Sequence, residues 1–90
     1  MERIYIDKEV DNIIKWYMED EKRIILHDVS LKQIGFDSLD RLQIMTHLER
    51  NFNIFLPDDL ISKSKPISEI CDYIEQNSQH EARLIPIYVF

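Results

Sequence analysis

Apolar residues along the chain fall into three runs with helical spacing, separated by stretches that lack it. Over residues 7–20, Val10, Ile13, Ile14, Tyr17 and Met18 recur at i, i+3, i+4, i+7 and i+8, which sets them on one stripe of a helix. Asp7 is the expected N-cap, and Glu9 suits a first turn that faces the positive end of the helix dipole. Between 21 and 36 the period is lost. Ile24, Ile25, Leu26, Leu31 and Ile34 are scattered among polar residues and Gly35 closes the stretch, so a long connection pinned to the core by those apolar side chains is expected. A second helix is expected from Asp37 or Ser38 to about Asn51, with Asp37 as cap and Asp40 three residues on, a capping box with Asp in place of Glu. Pro57-Asp58-Asp59 opens a short turn or helix ending near Ser64. Pro66 fits the first turn of a last helix, in which Ile67, Ile70, Cys71 and Ile74 form the apolar stripe.

The order of elements predicts an all-α fold over residues 1–77: a small antiparallel bundle of three main helices plus a short one, with a long loop between the first two. Residues 78–90 behave differently. A polar break at Ser78-Gln79-His80-Glu81 precedes Leu84-Ile85-Pro86-Ile87-Tyr88-Val89-Phe90, and Pro86 argues against a central strand or a helix interior. An extended apolar C-terminal tail packed on the bundle is the simplest expectation.

The second helix carries more apolar surface than packing requires. At 100° per residue Ile44, Met45, Leu48 and Phe52 cluster as a core face, while Leu39, Leu42 and Thr46 fall on another side flanked by Gln43, Glu49 and Arg50. That second stripe reads either as the edge of a wide core or as a partner-docking strip with apolar anchors ringed by charge. Arg41 falls within the core arc and is expected to reach solvent along its own stem.

Composition narrows the function. Ninety residues make one small domain, and 44% apolar with 31% charged residues describes a soluble globular chain. A net charge of −6 disfavours phosphate backbones and anionic lipid, so neither nucleic acid nor membrane is an expected partner. No apolar run approaches the length that spans a bilayer. A single glycine excludes glycine-rich phosphate loops and dinucleotide fingerprints. The lone Cys71 cannot form an internal disulfide, and Met1-Glu2-Arg3-Ile4 has the look of neither a signal nor a transit peptide, so a cytoplasmic monomer is expected. His27, His47 and His80 show no metal-ligand spacing with one another or with Cys71, and no metal is assigned. Cys71 itself lies on a core stripe and reads as a buried, inert thiol.

Ser38 is the residue with chemistry. It stands in Gly35-Phe36-Asp37-Ser38-Leu39-Asp40 at a helix N-terminus, where unpaired N–H groups and the helix dipole favour a phosphate ester on its hydroxyl. The run GFDSLD, followed by LERNFNIFLPDDL and ISEICDYIEQN, resembles the acyl carrier protein family over about residues 7–77. The resemblance implies that Ser38, flanked by Asp37 and Leu39, carries a covalent 4′-phosphopantetheine arm whose thiol holds acyl groups as thioesters. It implies a stand-alone carrier without catalytic activity of its own. Its partners would be a phosphopantetheinyl transferase and the acyl-loading, acyl-transfer and condensing enzymes of fatty-acid or polyketide-type biosynthesis. Partner enzymes would dock on the helix beginning at the serine, through Leu39, Asp40, Leu42, Gln43, Thr46, Glu49 and Arg50. An acyl chain would be lined by Met45, Leu48, Leu56, Ile61 and Ile70.

The chain also departs from the family pattern. Its second helix carries Arg41, Gln43, His47 and Arg50 where the family is usually rich in acids, and Phe36 takes a place often held by a smaller residue, beside the arm. An aminoacyl or peptidyl carrier and an unmodified helical interaction module are the alternatives. A serine hydrolase is not: Gly35 is too far from Ser38 for a Gly-Asp-Ser-Leu motif, no Asp-x-x-His follows, and the chain is too short for such a fold.

Overall fold

The first helix begins a turn earlier than its spacing predicts. A computed structural model of the chain describes residues 2–77, and its helix α1 spans Arg3–Met18 with Glu2 at the N-cap, where no side chain caps it. Asp7 is therefore not the cap but an interior residue, its Oδ1 accepting from Arg3 Nε at 2.8 Å across one turn. Ile6 is the reason: it is fully buried and extends the stripe of Val10, Ile13 and Ile14 back towards the N-terminus. At the other end Glu19 takes a left-handed φ of 59° and its N–H returns to the carbonyls of Lys15 and Trp16.

The connection that follows contains a helix the periodicity could not reveal. Helix α2 spans only Leu31–Ile34, set by a reciprocal box in which Ser30 Oγ accepts from Gln33 N–H at 3.1 Å and Ser30 N–H donates to Gln33 Oε1 at 2.8 Å. Gly35 ends it at φ 120°, a conformation that an L side chain rarely adopts. Of the apolar residues expected to pin this connection, Ile25 and Leu31 are buried and Ile34 half-buried, but Ile24 and Leu26 are exposed. A chain running past the core turns only alternate side chains inward, so burying Ile25 turns its neighbours out.

Helix α3 spans Ser38–Phe52, α4 spans Asp58–Ser62, and α5 spans Ile67–Asn77. The fold is the expected small all-α bundle of three long helices, with α2 as an addition and no strand among the described residues. Helix α1 packs against both α3 and α5, and α4 leans on α3. Helices α1 and α3 run antiparallel: Asn51 Nδ2 donates to Glu9 Oε1 at 3.4 Å at one end, and the Tyr17 hydroxyl donates to the Gln43 carbonyl at 3.3 Å at the other. Between the helices lie Ile6, Val10, Ile14, Ile44, Leu48, Ile67, Ile70 and Ile74, none more than 1% exposed. Each such side chain contributes about 1.5–3 kcal/mol by leaving water.

Pro66 stands just before α5 rather than within its first turn, and the loop before α2 meets the opening of α5. Ile67 N–H donates to the Val29 carbonyl at 2.9 Å and Ser68 N–H to the His27 carbonyl at 2.8 Å. Two donors that a helix start leaves unpaired are thus satisfied by the segment before α2, which locks that segment in place. Among the described residues, no helix is long and apolar enough to cross a membrane. The tail expected over 78–90 lies outside the described residues.

Candidate functional site

Ser38 is the first residue of α3 and is exposed. Asp37 holds extended backbone in front of it, and the expected box forms with both bonds present: Asp37 Oδ1 accepts from Asp40 N–H, and Asp40 Oδ2 accepts from Asp37 N–H. The serine therefore sits between two restrained residues at the positive end of a four-turn helix.

Beside it a groove of about 470 Å³ runs between the first turns of α3 and α4, lined by Ser38, Leu39, Arg41, Leu42, Met45, Asp58 and Ile61. Its walls are mostly aliphatic, with Arg41 and Asp58 as charged margins. Arg41, expected to reach solvent along its stem, is half-buried. Its Nη1 donates to the Phe36 carbonyl at 2.7 Å, and its buried Nε has no hydrogen-bond partner. That bond ties the loop before the serine to the helix after it. Phe36 is buried in the core and is absent from the groove lining.

The residues expected to line an acyl chain divide in two. Met45 and Ile61 face the groove, whereas Leu48, Leu56 and Ile70 are buried in the core behind it and are not part of the lining. The expected docking residues divide as well. Leu39 and Leu42 are 60% and 53% exposed, and Gln43, Thr46 and Arg50 are exposed with them. Asp40 is held in the capping box, and Glu49 Oε2 accepts from the Leu56 N–H at 2.8 Å, so each carboxylate already holds a backbone N–H.

The structure adds residues from α1 to this surface. Trp16, 69% exposed, packs edge-to-face on Tyr17 with ring centroids 5.0 Å apart, and both lie against His47 of α3. Together with Leu42, Gln43, Thr46 and Arg50 they line a second hollow that adjoins the first through Leu42. Tyr17 counted as core from its spacing. The signal for the patch was Trp16, a tryptophan that falls beside the apolar stripe of α1 and not on it.

The residues present suit a phosphate-linked group on the serine: an exposed hydroxyl at a capped helix start, with an adjoining apolar groove wide enough for a chain. Comparison with known proteins points the same way. Residues 13–74 match the family model described as a phosphopantetheine attachment site. The acyl carrier protein of Porphyromonas gingivalis (strain ATCC 33277) is 30% identical over 73 residues, covering 80% of this chain and 94% of the relative. That of Phytoplasma australiense is 34% identical over 58 residues, covering 64% and 76%. The mitochondrial acyl carrier protein of Saccharomyces cerevisiae is 27% identical over 77 residues, covering 80% of this chain and 62% of the relative.

Proposed function

The chain belongs to the acyl carrier protein family and carries 4′-phosphopantetheine covalently, and from that premise we propose that Ser38 is the point of attachment and that the protein delivers acyl groups to biosynthetic enzymes. The group, when bound, supplies a long swinging chain that ends in a thiol and holds the cargo as a thioester.

The chain's own residues present, shelter and dock. The observation that carries the reading is the position of Ser38, exposed at the capped start of α3 and on the rim of an apolar groove. The Asp37–Asp40 box fixes the backbone on both sides of the hydroxyl, so the attachment point is defined while whatever hangs from it swings freely. Met45 and Ile61, with Leu39 and Leu42 above them, offer an apolar strip beside the attachment point where the first carbons of a cargo can leave water. Leu39, Leu42 and the Trp16–Tyr17–His47 cluster form the face that partner enzymes meet, with Gln43, Thr46 and Arg50 as its polar rim. The protein acts as a carrier and not as a catalyst, in acyl traffic of the fatty-acid or polyketide type, and the cytoplasm suits a cargo site that is a free thiol.

Incubation with coenzyme A and a phosphopantetheinyl transferase tests the attachment. The parent chain gains the mass of one phosphopantetheine and Ser38→Ala gains nothing. An unchanged parent mass with several transferases, or modification that survives Ser38→Ala, overturns it. Offering the modified protein to acyl- and aminoacyl-activating enzymes, and reading the mass of the thioester formed, separates acyl from aminoacyl use.

A further inference from the structure

Asp7 of α1, His27 of the loop before α2 and Cys71 of α5 are far apart in sequence, yet one potential ligand atom of each lies within 4.8 Å of the other two. We propose that these three side chains form a divalent-cation site, with Zn²⁺ the ion suited to a thiolate, an imidazole and a carboxylate together. None of the three lines the groove at Ser38, so the site is separate from the carrier site.

The ligands are held from several directions. Asp11, one turn after Asp7, has its Oδ1 at 2.7 Å from His27 Nε2. A carboxylate on one ring nitrogen fixes the orientation of the imidazole beside the other two side chains. The backbone of the same residue is clamped, because the His27 carbonyl accepts from Ser68 N–H at 2.8 Å, one turn before Cys71. Asp7 is oriented by Arg3, whose Nε donates to its Oδ1. Cys71 is wholly buried and is the chain's only cysteine. Three packed elements thus supply the ligands, each braced by a neighbour.

Tetrahedral zinc with bonds of about 2.0–2.3 Å sets its ligand atoms roughly 3.3–3.8 Å apart, so the cluster closes by about 1 Å on binding, a movement within reach of side-chain rotation. Binding breaks the Cys71 S–H bond and forms a Zn–S bond; the proton leaves to solvent and nothing is oxidised or reduced. The thiolate and the Asp7 carboxylate cancel the charge of the ion, and Arg3 beside it is itself paired with Asp72 and Glu75. Water fills the fourth position, as in a site with three protein ligands.

Titration of the full-length Ser38→Ala chain with Co²⁺ tests the site, since that variant removes any thiol but Cys71 if Ser38 is the attachment point. One Co²⁺ per chain with a thiolate-to-metal charge-transfer band, displaced by Zn²⁺, is expected. Loss of the band in Cys71→Ala and weakening by more than about tenfold in His27→Gln are expected as well. Zinc should raise the thermal midpoint of the Ser38→Ala chain and leave that of His27→Gln unmoved. Absence of the band, or equal binding by His27→Gln, overturns the proposal whether or not Ser38 proves to carry the arm.

Discussion

The Asp37 carboxylate accepts from the Asp40 N–H at 2.8 Å, and the Asp40 carboxylate accepts in return from the Asp37 N–H at 3.4 Å. Ser38 lies between them, so the geometry of the proposed attachment point is the geometry of this box. Removing a side-chain cap costs about 1 kcal/mol, which for a domain of this size lowers the melting temperature by roughly 4–8 °C. Asp37→Ala should show that loss and also slow modification of Ser38, because the first turn then frays. Asp37→Asn keeps an acceptor and should retain most of the stability. Thermal unfolding and transferase time courses on the three proteins check this; an unchanged Asp37→Ala would mean that packing, not the box, sets the helix start.

The box was legible in the sequence because it is local: two carboxylates three residues apart before an apolar run. The stripes of α3 and α5 were legible for the same reason. What failed were features decided by distant partners. Asp7 looked like a cap until Ile6 proved to be core and Arg3 proved to hold the carboxylate. Helix α2 is four residues long, too short for any period, and only Ser30 and Gln33 at i and i+3 hinted at it. The grouping of Asp7, His27 and Cys71 depends on the clamp between residues 27–30 and the start of α5, which no spacing rule encodes. At the candidate site, Ser38, Leu39 and Leu42 could be read from the helical wheel. Trp16 could not be joined to them until α1 was known to lie antiparallel against α3.

Leu42 and Leu48 lie on the same helix and should respond in opposite ways. Leu48 is completely buried, so Leu48→Ala should lose about 2–5 kcal/mol through lost burial and the cavity left behind. Leu42 is 53% exposed between two hollows, so Leu42→Asp should leave the helical circular dichroism and melting temperature nearly unchanged while slowing loading by partner enzymes. Trp16→Ser should act in the same direction as Leu42→Asp if the aromatic cluster belongs to the docking face. A collapse in melting temperature for Leu42→Asp would move that residue into the core.

Arg3 gathers three carboxylates: Asp7 on its own helix, and Asp72 and Glu75 of α5 at 2.6 and 3.1 Å. These acids push the guanidinium further above its ordinary range by hydrogen bonding, although it is charged at any working pH in either case. The group is partly exposed, so Arg3→Met should lose only about 1 kcal/mol, and less as salt rises. Urea unfolding at low and high salt measures it. A loss that does not depend on salt would locate the role of Arg3 in the packing of its stem.

Burial, with a smaller contribution from the hydrogen bond to Asp7, pushes the Cys71 thiol well above its usual range. Above about pH 8.5 the unfolded chain gives up this proton and the folded chain keeps it. The unfolded state then binds fewer protons, so stability present below that pH must drain as pH rises, at up to about 1.4 kcal/mol per pH unit. Unfolding midpoints between pH 7 and 9.5, with a chelator present, should fall more steeply for the parent than for Cys71→Ala. The comparison is of slopes, since the variant also loses packing. Equal slopes would mean that the folded thiol ionises as readily as the unfolded one.

The net charge of −6 invites the expectation that partners are captured by long-range attraction to basic surfaces. The distribution argues otherwise. Residues 38–52, which are α3, hold two acids and two bases, whereas 1–23 hold seven acids and five bases and 67–90 hold four acids and one base. On α3 the two acids are also the two engaged carboxylates, Asp40 in the capping box and Glu49 on the Leu56 N–H, while Arg50 is exposed. The proposed docking surface is apolar and aromatic with margins of both signs, Asp40 and Glu49 keeping their charge, Glu49 near Arg50, and Asp58 facing Arg41. Contacts of its apolar part are insensitive to screening. Loading rates measured from about 0.05 to 0.5 M salt should change by less than roughly threefold, while Leu42→Asp slows loading at every salt concentration. A steep fall with salt in the parent would show that the acidic ends of the chain, and not Leu39, Leu42 and Trp16, govern docking.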